Sequence, residues 1–110
     1  MTTELTPVLT ALADPTRRRV VQLLRNRPHR AGELAVAAGA SAPTMSRHLR
    51  VLLSAGIIED ERPAGDARAR VFWLRPEAIA PLRDWLEELQ AASEQQLAAF
   101  KRHVEGRSER

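Results

Sequence analysis

Gly32-Glu-Leu-Ala-Val-Ala-Ala-Gly-Ala-Ser-Ala-Pro-Thr-Met-Ser-Arg-His-Leu-Arg-Val-Leu-Leu-Ser-Ala-Gly56 is the stretch whose reading decides the fold. Leu34, Ala35 and Ala38 recur at helical spacing, and Gly39 ends that helix, glycine being the residue that most readily turns left-handed at a helix C-terminus. Only Ala40 intervenes before Ser41, an N-cap for a second helix that turns Met45, Leu49, Leu52 and Leu53 to one side. Gly56 closes it in the same way. Two helices joined by so short a glycine-containing turn, the second well capped, form a helix-turn-helix, here over residues 30–55.

Outward from this unit the periodicity is legible in both directions. Leu5, Val8, Leu9 and Leu12 predict a short helix over residues 4–13. Asp14-Pro15 ends it and starts another, with Asp14 as N-cap and Pro15 at the first helical position. That second helix carries Val20, Val21, Leu23 and Leu24 as an apolar stripe and Arg17, Arg18 and Arg19 in its first turn, and Pro28 breaks the chain after it. Beyond Gly56 the period changes. Ile57 and Ile58 open a strand, Arg70-Val-Phe-Trp-Leu74 is β-branched and aromatic, and Pro63, Gly65 and Asp66 are turn residues between them. The expectation is a β-hairpin, a wing over residues 57–75 carrying Arg62, Arg68 and Arg70. From Pro76 the helical period returns with Ile79, Leu82, Leu86, Leu89, Leu97, Phe100 and Val104, placing a last helix over 77–105. The expected fold is mainly α with a small β-hairpin, a winged helix-turn-helix in the order α-α-α-α-β-β-α, as a single domain over residues 1–110.

Composition narrows the function classes. Of 110 residues 44% are hydrophobic, but 18 of those are Ala, which leaves a thin core of the kind that borrows surface from a partner. No run approaches the ~20 apolar residues of a membrane span, the N-terminus lacks a basic-then-apolar leader, and the expected location is the cytoplasm. Zero Cys excludes disulfides, thiolate metal sites and a cysteine nucleophile, and no P-loop or GxGxxG is present. Glu59-Asp60-Glu61 and Glu87-Glu88 read as solvated charge with no His or Ser arranged beside them, so no enzyme is expected. The net charge is only +3, yet sixteen of the seventeen basic residues are Arg, the residue suited to bidentate contacts with phosphate and guanine. Between Asp14 and Arg50 lie eight Arg against two acids. A basic front half with a near-neutral tail is the footprint of a polyanion-binding face beside a separate packing element.

The terminal helix argues for a second copy. Its roughly 28 residues make about 42 Å of helix, whereas a compact domain of this length is very roughly 34 Å across. A helix that overhangs its own domain and still carries an apolar stripe needs cover, and a two-fold related copy is the simplest. The expected interface comprises Leu5, Val8, Leu9 and Leu12 with Leu82, Trp85, Leu86, Leu89, Leu97 and Phe100.

The run Ala11-Leu-Ala-Asp-Pro-Thr-Arg-Arg-Arg-Val20, then Gly32-Glu-Leu-Ala35, Ser41-Ala-Pro-Thr-Met-Ser-Arg-His-Leu49 and Leu52-Leu-Ser-Ala-Gly-Ile57, closely resembles the ArsR family of winged-helix repressors, in unbroken order from about residue 8 to Leu89. The resemblance implies a homodimeric bacterial transcription factor that binds double-stranded DNA, with its first and last helices at the dimer interface and its fourth helix in the major groove.

Helical spacing agrees on the DNA-facing residues. With Met45, Leu49 and Leu52 inward, the opposite face carries Pro43, Arg47, Arg50 and Ser54. Thr44 and Ser46 lie near the N-terminal turn, the end of a recognition helix that reaches base edges. Arg47 is the candidate reader of guanine, and Arg50 suits a base edge or phosphate. The backbone at Ser41–Pro43 can hold a phosphate. Arg62, Arg68 and Arg70 of the hairpin suit the DNA backbone or minor groove, Arg30 a phosphate at the start of helix three, and His48 a structural or phosphate-facing role. In a dimer the paired helices sit ~34 Å apart, which demands an inverted repeat.

Departures from the family pattern concern sensing. Metal sensors of this family place cysteines just before and at the start of helix three, where this chain has Arg30 and Gly32. A second family site needs acids and His spaced along the last helix, and Asp84, His103 and Glu105 lack that spacing. No metal effector and no cofactor are expected. Helix three lacks a Ser/Thr cap, so its start is expected to fray. Trp73 and Trp85 read as packing residues rather than a ligand pocket. Two alternatives stand beside the repressor: a winged helix used for protein contacts, and a repressor released by a small organic ligand.

Overall fold

Asp14 shows how local chemistry sets the first boundary. In the computed structural model, which describes residues 5–66 and 69–108, its Oδ1 accepts from the amides of Thr16 at 2.8 Å and Arg17 at 3.1 Å. These bonds, Arg17's first, hold the Asp14 carboxyl below its ordinary range. They end α1 (Leu5–Leu12) and start α2 (Pro15–Leu24). The helix-turn-helix is α3 (Ala31–Ala38) and α4 (Ala42–Ser54). Gly39 at φ 67° and Gly56 at φ 75° close these helices. In each case the next residue's amide reaches five residues back, Ala40 to Ala35 at 2.9 Å and Ile57 to Leu52 at 3.1 Å. That is the double-bonded stop that a left-handed glycine permits.

The start of α3 departs from expectation. Arg30 occupies the cap position, and Glu33 reaches back so that its Oε1 accepts from the Arg30 amide at 3.0 Å. Its Oε2 pairs with Arg27 at 3.1 Å. The carboxylate satisfies the cap residue's own amide, the reciprocal half of a capping box, while no Arg30 side-chain bond caps the first-turn amides as a hydroxyl would. The Arg30 amide, ahead of Arg27, holds Glu33 below its ordinary range.

The sheet also exceeds the hairpin. β2 (Ile58–Glu61) and β3 (Val71–Leu74) pair antiparallel, Ile58 opposite Leu74 and Glu61 opposite Val71. A third strand, β1 (His29–Arg30), lies on the other side of β3, with His29 opposite Phe72. The order is β1-β3-β2, so β3 is central, and the chain runs α-α-β-α-α-β-β-α. Two residues after a proline are too few to show a period of two, which is why β1 escaped the sequence reading. His29 is buried and donates from Nδ1 to the Arg27 carbonyl at 2.8 Å.

The chain divides into two compact units, one ending at Ala80 and one beginning at Pro81. In the first, Val20, Leu34, Leu52, Ile57, Ile58 and Phe72 are buried almost completely, so helices α2, α3 and α4 and both hairpin strands share one core. A short 3-10 turn at Pro63–Gly65 lies in the wing loop, and another at Pro76–Ala78 leads from β3 into the last helix. α5 (Ala80–Ser108) is one helix of 29 residues.

Candidate nucleic-acid interface

α4 has two faces of opposite character. Met45, Leu49 and Leu52 are buried; Pro43, Ser46, Arg47, Arg50 and Ser54 are exposed. The N-terminal turn is knitted by side chains. Ser41 Oγ accepts from the Thr44 amide at 3.3 Å and donates to Thr44 Oγ1 at 2.9 Å. Arg47 Nη2 donates to the same Oγ1 at 3.3 Å, so its guanidinium lies back over the helix N-terminus. Among the described residues neither Arg47 nor Arg50 has a carboxylate partner. The face therefore presents two unneutralised guanidinium groups beside hydroxyls, the chemistry that reads guanine edges and phosphates.

His48 is half-buried and faces away from that surface. Arg17 Nη1 lies 3.2 Å from its Nδ1. Arginine can only donate, so the imidazole accepts on Nδ1 and keeps its proton on Nε2. Arg17 also donates to the carbonyls of Ala11 at 2.6 Å and Thr10 at 3.3 Å, and Arg18 to Leu12 and Ala13 at 2.8 and 3.1 Å. The first-turn arginines of α2 thus satisfy the carbonyls left open at the end of α1, and His48 locks α4 to them. These two arginines belong to the positive front half of the sequence, yet all three side-chain nitrogens of Arg17, and Nη1 of Arg18, are engaged inside the chain. Among the described residues no three His, Asp or Glu side chains converge as metal ligands would.

The hairpin sorts its arginines. Arg70 is half-buried, ion-paired with Asp60, and its guanidinium lies 4.9 Å from the centroid of the Phe72 ring. Unlike Arg47 and Arg50 it is paired and stacked, and it braces β2 against β3. Arg62 is exposed, with no carboxylate partner among the described residues. Arg30 is exposed at the start of α3, and Arg68 lies outside the described residues. Arg75, which the sequence reading did not single out, pairs with Glu59 at 3.1 Å and Glu77 at 3.2 Å and reaches the Gly56 carbonyl. It fastens the base of the hairpin to the end of α4.

The apolar candidates divide as well. Val8 is 1% exposed and belongs to the core of the first unit, so Leu9, and not Val8, is the outward apolar residue of α1. Leu5, Leu12 and Leu82 are half-buried. Trp85, Leu86, Leu89, Leu97 and Phe100 are exposed, and Val104 extends the same stripe. No helix among the described residues is long and apolar enough to cross a membrane.

The sequence signature of a helix-turn-helix domain family matches residues 12–61. The HTH-type transcriptional regulator Rv2034 of Mycobacterium tuberculosis is 46% identical over 77 residues, covering 70% of this chain and 69% of that protein. The crystal structure of the ArsR family transcriptional regulator RHA00566 superposes with a TM-score of 0.74 at 31% identity, over 83% of this chain and 97% of that one. A homodimeric winged helix-turn-helix DNA-binding domain from Mycobacterium bovis, a possible ArsR-family regulator, superposes with a TM-score of 0.63 at 25% identity, over 87% of this chain and 83% of that one. With the short glycine turn, the capped α4 and the three-stranded wing already in view, these likenesses establish that the chain belongs to the ArsR family of winged helix-turn-helix transcriptional regulators.

Proposed function

We propose that this regulator is a homodimeric repressor that lays α4 in the major groove of an inverted-repeat operator and needs no metal effector. The observation that carries the reading is the exposed face of α4. Arg47 and Arg50 lie on it without carboxylate partners among the described residues, while Met45, Leu49 and Leu52 anchor the opposite face. Arg47 reads a guanine edge, Arg50 takes a base edge or phosphate, and Pro43, Thr44 and Ser46 border the same groove. Ser41 and Arg30 approach the DNA backbone, and Arg62 and Arg68 follow it from the wing.

α5 and α1 supply the dimer contacts. The exposed stripe from Trp85 to Val104 and the outward Leu9 support this, as does the homodimeric state of the Mycobacterium bovis neighbour. Repression follows from occupancy of a promoter in the cytoplasm. Absence of a metal effector is supported by the lack of Cys and by Arg30 and Gly32 where thiolate sensors carry ligands.

Selection of bound sites from random duplexes tests the reading, run with a chelator and again with added zinc, nickel or copper. A palindrome with half-sites one helical turn apart, recovered alike in every condition, is the expected result. Recovery only with metal would overturn the effector part, and recovery of no common site would overturn DNA recognition.

A further inference from the structure

We propose that the cavity between α3, α4 and the hairpin binds a small carboxylate with an apolar body, and that this ligand competes with DNA. The cavity holds about 250 Å³. Its floor is apolar, with Met45, Leu49 and Phe72 buried at its base, and Arg50 and Arg62 are exposed at its rim. An apolar cavity of ~150 Å³ already accommodates benzene, so a substituted ring or short branched chain fits here.

Two features make this a built site and not loose packing. The α3 wall is made of Ala31, Gly32 and Ala35, small residues where a larger side chain would close the void. A Cβ added at Gly32 meets nothing within 4 Å. The charges at the rim are also sorted. Arg70, the third arginine lining the cavity, is neutralised by Asp60 and stacked on Phe72. Arg50 and Arg62 keep their positive charge without a carboxylate partner among the described residues. A carboxylate between two guanidinium groups, with its hydrocarbon body out of water below, answers both features.

The competition rests on the operator reading, because Arg50 and Arg62 are also the groups assigned to DNA. A ligand carboxylate and a DNA phosphate ask for the same donors, so each weakens the other reciprocally.

The test uses 4-ethylbenzoate as probe and 4-ethylbenzamide as its uncharged counterpart, titrated into the full chain without DNA and followed by NMR. The expected result is shifts at Met45, Leu49 and Phe72 with the benzoate, weakened about tenfold in Arg62→Gln by loss of a charge-assisted hydrogen bond. Gly32→Leu should remove binding without lowering the melting temperature, leaving the affinity for a selected duplex unchanged. Excess benzoate should displace that duplex from the unmodified chain. Equal binding of the benzamide would overturn the role of the arginines. No shifts in a protein that binds its duplex would overturn the site and leave the operator reading intact. Shifts at the cavity in a protein that binds no duplex would support the site and overturn the operator reading instead.

Discussion

α4 and α5 both carry an apolar stripe at the helical period, and the two stripes have opposite fates. On α4, Met45, Leu49 and Leu52 are buried and the polar face looks outward. On α5 the stripe itself is outward, with Leu97 at 54% and Phe100 at 64% exposure. Amphipathicity therefore says only that a helix has two faces; which face awaits a partner depends on what the rest of the chain covers. For α4 the uncovered face is polar and arginine-bearing, which suits a polyanion. For α5 it is apolar and runs through Leu89, Leu97, Phe100 and Val104, which suits another apolar helix.

The contrast can be broken most severely on α5. Leu89→Asp with Phe100→Asp should weaken the dimer by about 3–6 kcal/mol, at roughly 1.5–3 kcal/mol per large apolar side chain buried. Sedimentation equilibrium would show monomer where the parent shows dimer; an unchanged mass would refute the covered-stripe reading. On α4 the buried face predicts a loss inside the chain. Leu49→Ala should lower unfolding stability by about 2–5 kcal/mol, read from urea titration. The outward face predicts the reverse pattern. Arg47→Ala should weaken specific binding by about 1–3 kcal/mol, with stability within ~0.5 kcal/mol of the parent. A large stability loss in that variant would mean that the arginine serves packing and not recognition.

Smaller effects test the frame that holds α4. Asp14→Ala removes a cap and should cost about 1 kcal/mol of stability without touching the DNA-facing surface. Asp14 and Glu33 also carry a sign. Their folded carboxyls lie below the ordinary values of 3.8 and 4.5. Their contribution is therefore complete above those values and is lost as pH falls through the lower folded ones. Melting temperature should respond to these two groups only below about pH 5, and Asp14→Asn should flatten part of that acid slope.

The elements most legible in the sequence were those with a strong local cause. Asp14-Pro15, Ser41 and the two glycines at 39 and 56 each act within a few residues, and the starts of α2 and α4 and the ends of α3 and α4 fall on them. What escaped had a distant cause. β1 exists because Phe72 and Val71 lie alongside His29 and Arg30, some forty residues away in sequence. Arg70 resembled the other wing arginines until folding set Asp60 and Phe72 beside it. Arg17 and Arg18 added to the basic count, although their donors face the end of α1.

The sequence by itself determined where helices start and stop, that a helix-turn-helix precedes a hairpin, and that arginine carries the positive charge. Those properties depend on backbone chemistry and periodicity over one or two turns. Only the tertiary structure decided which arginines remain unpaired, that Val8 is core while Leu9 is not, and that small residues on α3 leave a cavity beneath Arg50 and Arg62. Availability of a charge or an apolar face is set by neighbours brought together from distant parts of the chain, and no local pattern encodes it.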